Sequence, residues 1–386
     1  MTDSKPLSDI LIQSLQWART RDYTGWDYAD GLSSPLASML DRSTIATLCL
    51  QEGIKRSPIN IRPLFGVPQR RSFKGAALFL LANIQTYEVT NESLYLDEAI
   101  ALGDWLLANR QTDPFGWGHN HALQTLSGTV PRNTPSVVTT SFVTRALLAL
   151  AEYHDIPLLD ELPATIRTFL HKDLAYESVS DGATIQYRAG ATDAYTVINA
   201  NALGGRLLTD VATGCNDPSL LSLATPLFEY VAAQQTSEGG WVYADPQSAS
   251  HLSMDPHHNG FILDSFQAYA RATGSEEFVT TYETGLEFFM DSLFEPSGAP
   301  RWDETTAFPR DIHGAAQGII TCTRAEEYAF ANQILHWTLR TLYHPEGRFG
   351  YRKGRFYTRN TTLMRWCQAW MCLALATMYR DGHVGH

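Results

Sequence analysis

Histidine and aspartate residues cluster at the starts of two apolar helical segments of the sequence. Asp255 and His258 open one segment, and Asp311 and His313 open a later one. Imidazole changes its charge near neutral pH, which suits general acid and base catalysis. Because His258 and His313 occupy matching positions of successive helices, we predict that they are a catalytic pair. Asp303 or Asp311 is expected to orient an imidazole.

The same acidic residues have two alternative interpretations. Asp255 and Asp311 stand where helix N-cap residues belong, so each is equally well explained as a cap. Asp255, Asp303 and Asp311 together also suit a glycoside hydrolase, which uses paired carboxyl groups as acid and base or nucleophile. The sequence leaves these alternatives open.

Polar and aromatic residues in the long loops, and at the starts of the helices that follow them, suit recognition of a sugar. Amides and charged groups provide fixed hydrogen-bond donors and acceptors for hydroxyl groups, and indole and phenol rings stack on pyranose faces. The predicted substrate-binding residues are Lys74, Trp117, His119, His121, Asn133, Asn199, Asn201, Trp241, Tyr243, Trp302, Gln317, Tyr351, Lys353, Arg355, Tyr357 and Arg365.

Several of these residues are also compatible with a structural role. Trp117, Trp241 and Trp302 could fill gaps between repeats, which we favour for Trp241, and Asn199 and Asn201 could bond the backbone. The stretch 351–357 is either a solvated hairpin or, through its interleaved charges, a grip on a substrate carboxylate or phosphate.

No metal or cofactor is assigned from the sequence. His119 and His121 form an HxH pair, but such a pair in a loop is a weak metal signal. The five cysteines are widely spaced and follow no zinc-binding pattern.

The elements that must position these residues follow a degenerate repeat. Six times, a long polar loop leads into a small-residue, apolar helix. Apolar residues recur at helical spacing and alternating strand patterns are almost absent. Helices are predicted over Leu7–Thr20, Pro35–Gln51, Phe73–Glu88, Glu92–Asn109, Thr139–His154, Leu162–Asp173, Val197–Val211, Pro218–Gln235, His257–Ala272, Glu276–Leu293, Ile312–Thr323, Ala325–Leu342 and Leu363–Tyr379.

Alternation of the two helix types predicts an all-α (α/α)6 toroid. Helices such as Val197–Val211 are small and apolar around most of their circumference, as expected of an inner helix, whereas Glu276–Leu293 carries charge on one face. Short and long connections alternate, which places the long loops on one face. Six inner and six outer helices leave one extra N-terminal helix. We expect residues 1–386 to form one domain, because nothing in the sequence looks like a linker.

Composition restricts the partners. A formal net charge of −12 argues against a nucleic-acid-binding protein. No apolar run is long enough to span a bilayer, and the N-terminus lacks the pattern of a signal peptide. We therefore expect a cytoplasmic protein that does not span a membrane.

Five strings resemble a group of bacterial and archaeal α/α-toroid proteins encoded in clusters for polysaccharide and N-glycan biosynthesis. They are FKGAALFLLA, NANALGGRLL, GGWVYADP…MDPHHNGFILDSF, RDIHGAAQGI and FYTRNTTLMRWCQAWMCLALA. His258 and His313 match histidines of the group's motifs, and Arg365 lies in its MRWxQ motif. The sequence departs from the group at His257 and Asn259. More distantly it is similar to N-acylglucosamine 2-epimerase, glucuronyl C5-epimerase and unsaturated glucuronyl hydrolase toroids.

The resemblance implies an enzyme of glycan biosynthesis that acts on a saccharide containing a hexuronate. The saccharide could be free or linked to a lipid or a nucleotide. The reaction expected is epimerisation or isomerisation by histidine-mediated proton transfer, and other glycan-assembly enzymes are possible partners. A hydrolase or lyase with paired carboxylates is one alternative, and a non-catalytic glycan-binding scaffold is another. Triterpene-cyclase chemistry is disfavoured, because a DxDD acid motif is absent from the sequence.

Overall fold

The computed structural model describes residues 6–40, 43–125 and 128–384. Its architecture is almost entirely helical. The α-helices are α1 (Leu7–Arg19), α2 (Ala37–Leu40), α3 (Thr44–Arg56), α4 (Phe73–Thr90), α5 (Ser93–Ala108), α6 (Val137–Leu150), α7 (Leu162–Thr168), α8 (Ile198–Gly214), α9 (Leu221–Ala233), α10 (Pro256–Thr273), α11 (Val279–Ser292), α12 (Ile312–Arg324), α13 (Tyr328–Thr341) and α14 (Trp370–Val384).

Six of these helices form a closed inner ring. Helix α4 packs on α6, and the contacts continue in order through α8, α10 and α12 to α14, which packs back on α4. The inner helices are buried around most of their circumference, as their small, apolar sequences predict.

A second layer of helices surrounds the ring. Helices α5, α9, α11 and α13 pack on α4, α8, α10 and α12, and α7 continues as a π-helix over Phe169–Asp173 beside α8. Helix α1 packs on α14 and is therefore the sixth outer helix. The predicted (α/α)6 toroid is confirmed, and the extra N-terminal helix is α3. The single helix predicted over Pro35–Gln51 is wrong, because α2 and α3 are separate elements.

Short strands cross-link the long loops. Most of the pairs are two or three residues long and antiparallel, and one set has three strands. The strands are β1 (Thr24–Gly25), β2 (Arg70–Arg71), β3 (Gln111–Thr112), β4 (Phe115–Gly116), β5 (Leu123–Thr125), β6 (Gly128–Val130), β7 (Glu177–Val179), β8 (Gly182–Thr184), β9 (Thr196–Val197), β10 (Ala244–Asp245), β11 (Arg310–Asp311), β12 (Tyr343–His344), β13 (Arg348–Phe349), β14 (Arg352–Lys353) and β15 (Thr358–Arg359).

Two of these pairs join loops that lead to different inner helices. Strand β9 precedes α8 and pairs with β10, and β11 precedes α12 and pairs with β14. The loop layer is therefore tied across the repeats, which fixes each inner-helix start relative to its neighbour.

Capping side chains fix where four inner helices begin. Ser72 and Ser136 accept hydrogen bonds from the first-turn backbone of α4 and α6. Asp255 and Asp311 do the same for α10 and α12. Such caps satisfy amide groups that have no partner within the helix. Because the inner helices run in the same direction, these capped starts lie at the same end of the ring. We call the region that they surround the funnel.

Within the described part of the chain, no helix combines the length and apolarity needed to cross a bilayer.

Candidate active site

Three imidazole rings from two inner helices meet at the mouth of the ring. His257 lies between the others, with its ring centroid 3.8 Å from His258 and 4.5 Å from His313. The contact with His313 is a parallel stack. Helices α10 and α12 therefore bring the two predicted catalytic histidines together, joined by a histidine that the sequence interpretation did not select.

Asp255 orients two of these rings and caps their helix. One carboxylate oxygen accepts from the backbone amides of His257 and His258, and it also lies 2.8 Å from Nδ1 of His257. The other oxygen lies 2.6 Å from Nδ1 of His258. Because a carboxylate only accepts, these contacts place a proton on Nδ1 of each ring and leave Nε2 free of the carboxylate. The capping and catalytic interpretations of Asp255 are thus compatible.

Burial lowers the pKa of two histidines of the cluster, His258 and His313. It lowers the pKa of His258 to about 4, although Asp255 opposes the shift. Burial, reinforced by His257 and Lys74, holds the pKa of His313 well below its usual range. Burial alone would raise the pKa of Asp255, but His257 and His258 lower it. At pH 7 the Asp255 carboxylate therefore faces a neutral His258, and His313 is neutral as well.

His313 is the most enclosed of the three rings. It is 1 % exposed, and neither ring nitrogen has a hydrogen-bond partner among the residues that the structure describes. Buried polar groups are normally paired, so an orphaned imidazole is expected where a ligand completes the bonding. Its ring lies 4.5 Å from those of Trp366 and Trp370.

Asp311 positions the groups around His313 rather than the imidazole itself. It caps α12 through the backbone amide of His313 and accepts from Nε1 of Trp366 at 2.8 Å. Its second oxygen forms an ion pair with Arg352. The prediction that Asp303 or Asp311 orients an imidazole is wrong, because Asp255 has that position.

Asp303 belongs to a loop turn. Its Oδ1 accepts hydrogen bonds from the backbone amides of Thr305 and Thr306 and from the Thr305 hydroxyl. These contacts are those of an Asx turn, which explains the aspartate without catalysis.

An apolar floor closes the funnel below the histidines. Phe142, Phe261 and Trp370 lie 5.3 to 5.5 Å apart by ring centroids. The ammonium nitrogen of Lys74 lies over all three rings, at 4.2 to 5.1 Å. Lys74 therefore reaches the site as predicted, on a support of aromatic rings.

A second charged group lies beside the floor. Arg365 forms a buried ion pair with Asp27, at 2.8 Å. His119 and His121, with ring centroids 5.3 Å apart, interact electrostatically with this pair. Burial lowers the pKa of His121 to about 4 and that of His119 well below its usual range. Three predicted binding residues thus converge here, together with Asp27.

Aromatic residues form the wall of the funnel. The ring of Tyr243 lies 4.7 Å from that of His258. Tyr28 stacks on Trp366 with centroids 4.2 Å apart. Trp302 lies under the guanidinium of Arg352 at 4.7 Å. Tyr243 and Trp302 lie beside His258 and Arg352, and their contact with substrate stays a prediction, whereas Tyr28 and Trp366 were not selected from the sequence.

Three predicted binding residues have structural contacts instead. Trp117 and Trp241 are fully buried and donate from Nε1 to backbone carbonyls of outer helices, so they fill gaps between repeats. Asn201 bonds the backbone of Ile185 and Val197. Substrate contact of Trp117 and Asn201 is corrected accordingly, and the gap-filling role favoured for Trp241 is confirmed. Gln317 donates to Asp264 and Thr321, but its Oε1 is buried without a partner among the described residues, so its contact with substrate stays a prediction.

Asn133 and Asn199 keep unpaired oxygens. The side-chain oxygen of each is buried and has no hydrogen-bond partner within the described ranges. The backbone amide of Asn133 donates to the carbonyl of His119 at 2.7 Å, which ties it to the loop of the histidine pair. Both therefore remain candidates for ligand contact.

The 351–357 stretch contains β14 and the turn that leads into β15, and its predicted residues differ in their contacts. Tyr351 is buried beneath Arg352, Lys353 donates to Thr358, and Arg355 and Tyr357 are exposed at the tip. The inward cation is Arg352. Side chains alternate across a strand, so choosing the odd positions missed the even one that faces the site. The solvated interpretation holds for Arg355 and Tyr357.

The donor atoms of Asp255, His257 and His258 lie within 4.8 Å of one another, close enough to hold a metal ion. The carboxylate oxygens already occupy hydrogen-bonding positions at both Nδ1 atoms. A metal would have to replace these bonds, so the trio is better described as an oriented acid–base cluster.

Comparisons with known proteins identify the fold. No protein-family model matches the sequence, and no curated protein does. A solved cellobiose 2-epimerase from Spirochaeta thermophila is similar with a TM-score of 0.62 at 14% identity, over 82% of this chain and 87% of that one. A D-mannose isomerase matches with a TM-score of 0.62 at 12% identity, over 81% and 87%.

A third similar structure covers nearly the whole chain. An unsaturated glucuronyl hydrolase specific for heparin matches with a TM-score of 0.63 at 13% identity, over 98% of this chain and 96% of that one. At these identities the likeness shows the toroid fold. The distant structural neighbours are carbohydrate-active epimerases, isomerases and glycoside hydrolases.

Proposed function

We propose that this protein is a sugar epimerase or isomerase that moves a proton at the carbon next to a carbonyl. The observation that carries the proposal is the cluster of three imidazoles on α10 and α12, two of which are oriented by Asp255. Carbon acids of this kind need a base on one side and an acid on the other. His258 and His313 are the proposed pair, with His257 between them.

Cationic groups around the cluster support an anionic substrate or intermediate. Arg352 and Arg365, each paired with an aspartate, lie around the cluster in a protein whose net charge is −12. Positive charge near a developing enediolate stabilises the transition state. The same charges suit a hexuronate, and we propose a uronate-containing saccharide of glycan biosynthesis as the substrate class.

The hydrolase alternative has less support from the site. A general acid needs a carboxyl group whose pKa is raised, whereas that of Asp255 is lowered and both of its oxygens bond to histidines. Both oxygens of Asp311 are bonded as well, and Asp303 is held in its turn.

The test is incubation of the protein in D2O with cellobiose, D-mannose and D-glucuronate, followed by NMR. Deuterium next to the carbonyl carbon is expected. Cleavage of a glycosidic bond without exchange would establish the hydrolase instead. No change in any of these sugars or in larger uronate oligosaccharides would favour the non-catalytic scaffold.

Variants assign the reaction to the cluster. His258→Ala and His313→Ala should each lose about 10²- to 10⁴-fold in turnover, the usual contribution of a general acid or base. His251→Ala is the matched control, because His251 is exposed in a loop. Full activity in both cluster variants would disprove the assignment.

A further inference from the structure

Lys74 is a buried amine in an aromatic enclosure. It is 5 % exposed, and its Nζ lies 4.2 Å from the ring centroid of Phe142, 4.7 Å from Phe261 and 5.1 Å from Trp370. The carboxylate that acts on it electrostatically, Asp27, is already paired with Arg365. Lys74 is thus surrounded by rings rather than by a counter-ion.

This environment favours the uncharged amine. Burial lowers the pKa of Lys74 well below its usual range, and repulsion from Arg365 adds to the shift while Asp27 opposes it. The ring faces favour the ammonium form through cation–π attraction, but they replace none of the hydrogen bonds that water gives an ammonium group. A lysine desolvated in an apolar pocket beside another cation is the usual form of an activated amine nucleophile.

The amine and His313 both pack on Trp370. The ring of Trp370 lies 5.1 Å from Nζ of Lys74 and 4.5 Å from the ring of His313, whose nitrogens have no hydrogen-bond partner among the described residues. A carbonyl group bound against Trp370 would therefore have a nucleophile and a proton acceptor on the same indole ring.

We propose that Lys74 attacks the carbonyl carbon of an open-chain sugar and holds it as an iminium ion. The lone pair of Nζ forms the C–N bond, and one of the two amine protons passes to the carbonyl oxygen to give a carbinolamine. The hydroxyl group then takes one proton from solvent and leaves as water, while the nitrogen lone pair forms the second C–N bond and the remaining N–H proton stays on the iminium ion.

The iminium group would serve the proton transfer proposed above, and this second half rests on that proposed function. It withdraws electrons from the neighbouring carbon, so a weak base such as His313 can remove the proton there. Return of the proton on the carbon, followed by addition of water, releases the sugar and restores the amine. No oxidant or reductant is consumed.

Reductive trapping tests the amine directly. The full chain is incubated at pH 6.5 with glycolaldehyde, the smallest hydroxyaldehyde, and sodium cyanoborohydride, and each lysine is followed by peptide mass spectrometry. The exposed Lys172, paired with Asp113 at 2.9 Å, is the internal control. Lys74 is expected to be alkylated at least tenfold faster than Lys172. Equal or slower labelling of Lys74 would overturn the proposal.

Variants separate this inference from the proposed function. Lys74→Met preserves an unbranched apolar chain without the amine, and Lys172→Met is the matched control, with melting curves to show that both fold. Loss of at least 100-fold in turnover in Lys74→Met alone supports the covalent role, and turnover that survives in it refutes that role. If Lys74 is labelled but the wild type turns over no sugar, the nucleophilic amine is supported and the proton-transfer function is refuted.

Should Lys74→Met not fold, Lys74→Gln replaces it, because a carboxamide is uncharged, as the amine is in this environment, and cannot form the iminium. Its residual turnover is interpreted in the same way.

Discussion

At the scale of single residues, one carboxylate organises the candidate site. Asp255 caps α10 and binds both His257 and His258, so a local helix signal and a functional one come from the same side chain. The sequence located His258 and His313 through their matching positions at helix starts. It did not reveal His257 as part of the cluster, because adjacent residues on a helix usually point in different directions.

Long-range partners explain the other residues that the sequence did not reveal. Arg365 was selected, but its partner Asp27 lies 338 positions away along the chain. Arg352 was missed because the side of the β14–β15 hairpin that faces the funnel is set by pairing with β11. Neither relation leaves a local pattern in the sequence.

The lowered histidine pKa values predict a specific loss of stability in mild acid. Unfolded histidines bind protons near pH 6.5, whereas His258 and His121 in the folded protein bind them only near pH 4. Between these values the unfolded chain binds more protons, so the free energy of unfolding falls as the pH decreases. The loss should begin near pH 6.5 and continue to about pH 4.

Urea unfolding at pH 6.5 and 4.5 measures this effect. In His258→Gln the loss should be smaller than in the wild type by about 1–3 kcal/mol, since one unit of pKa difference corresponds to about 1.4 kcal/mol. His251→Gln, at an exposed position, should follow the wild type. An unchanged loss in His258→Gln would show that this histidine titrates normally in the folded state.

At the scale of elements, the helices were predictable and the loop layer was not. Helical periodicity and small-residue composition located the inner helices within a few residues of their observed ends, for example Val137–Leu150 against the predicted Thr139–His154. Strands of two residues, such as β9 and β10, have no periodicity to detect, and they exist because distant loops meet. Trp117 and Trp241 illustrate the consequence, since a loop tryptophan at the funnel and one between repeats look alike in sequence.

A glycine sets the path of the loop that carries the histidine pair. A Cβ atom at Gly118 would lie 1.9 Å from the carbonyl oxygen of Thr134, and that obstacle is backbone. The loop would have to move away from the start of α6 and carry His119 and His121 with it. Gly118→Ala should therefore destabilise the protein by about 1–3 kcal/mol, in the range of strained core substitutions.

Gly53→Ala is the matched control. Gly53 lies within α3, and no atom lies within 4 Å of the position that its Cβ would take. Alanine there should be neutral or should stabilise the helix by about 0.5–1 kcal/mol. Thermal or urea unfolding compares the two variants. Equal effects on the free energy of unfolding would show that the loop accommodates the added Cβ atom of Gly118→Ala without loss of stability.

At the scale of the whole molecule, the ring is closed by the two ends of the chain. Helix α1 is the outer partner of α14, and α14 packs on α4 to complete the circle. The order of the repeat could be deduced from the alternation of loops and helices. Which N-terminal helix closes the ring could not be deduced from the sequence. Both candidates, α1 and α3, are amphipathic, and the choice depends on a contact between residues at opposite ends of the chain.

Closure of the ring predicts opposite outcomes at two neighbouring positions of α1. Leu11 is 0 % exposed and faces the core, whereas Ile12 is 37 % exposed. Leu11→Ala removes buried methyl groups and leaves a cavity beside the last inner helix, which should cost about 2–5 kcal/mol. Ile12→Ala, at a largely solvated position, should change stability by no more than about 0.5 kcal/mol.

Urea unfolding of the two variants is followed by tryptophan fluorescence, which measures stability. Turnover measured in parallel shows whether the loss of stability reaches the candidate site. The groups of the funnel come from α4, α10, α12 and the segment that leads into α14. Weakening the α1–α14 contact should therefore lower the urea concentration at which turnover is lost in Leu11→Ala and not in Ile12→Ala. If the two variants unfolded at the same urea concentration, α1 would not be closing the ring, and the site would be held together by the inner helices alone.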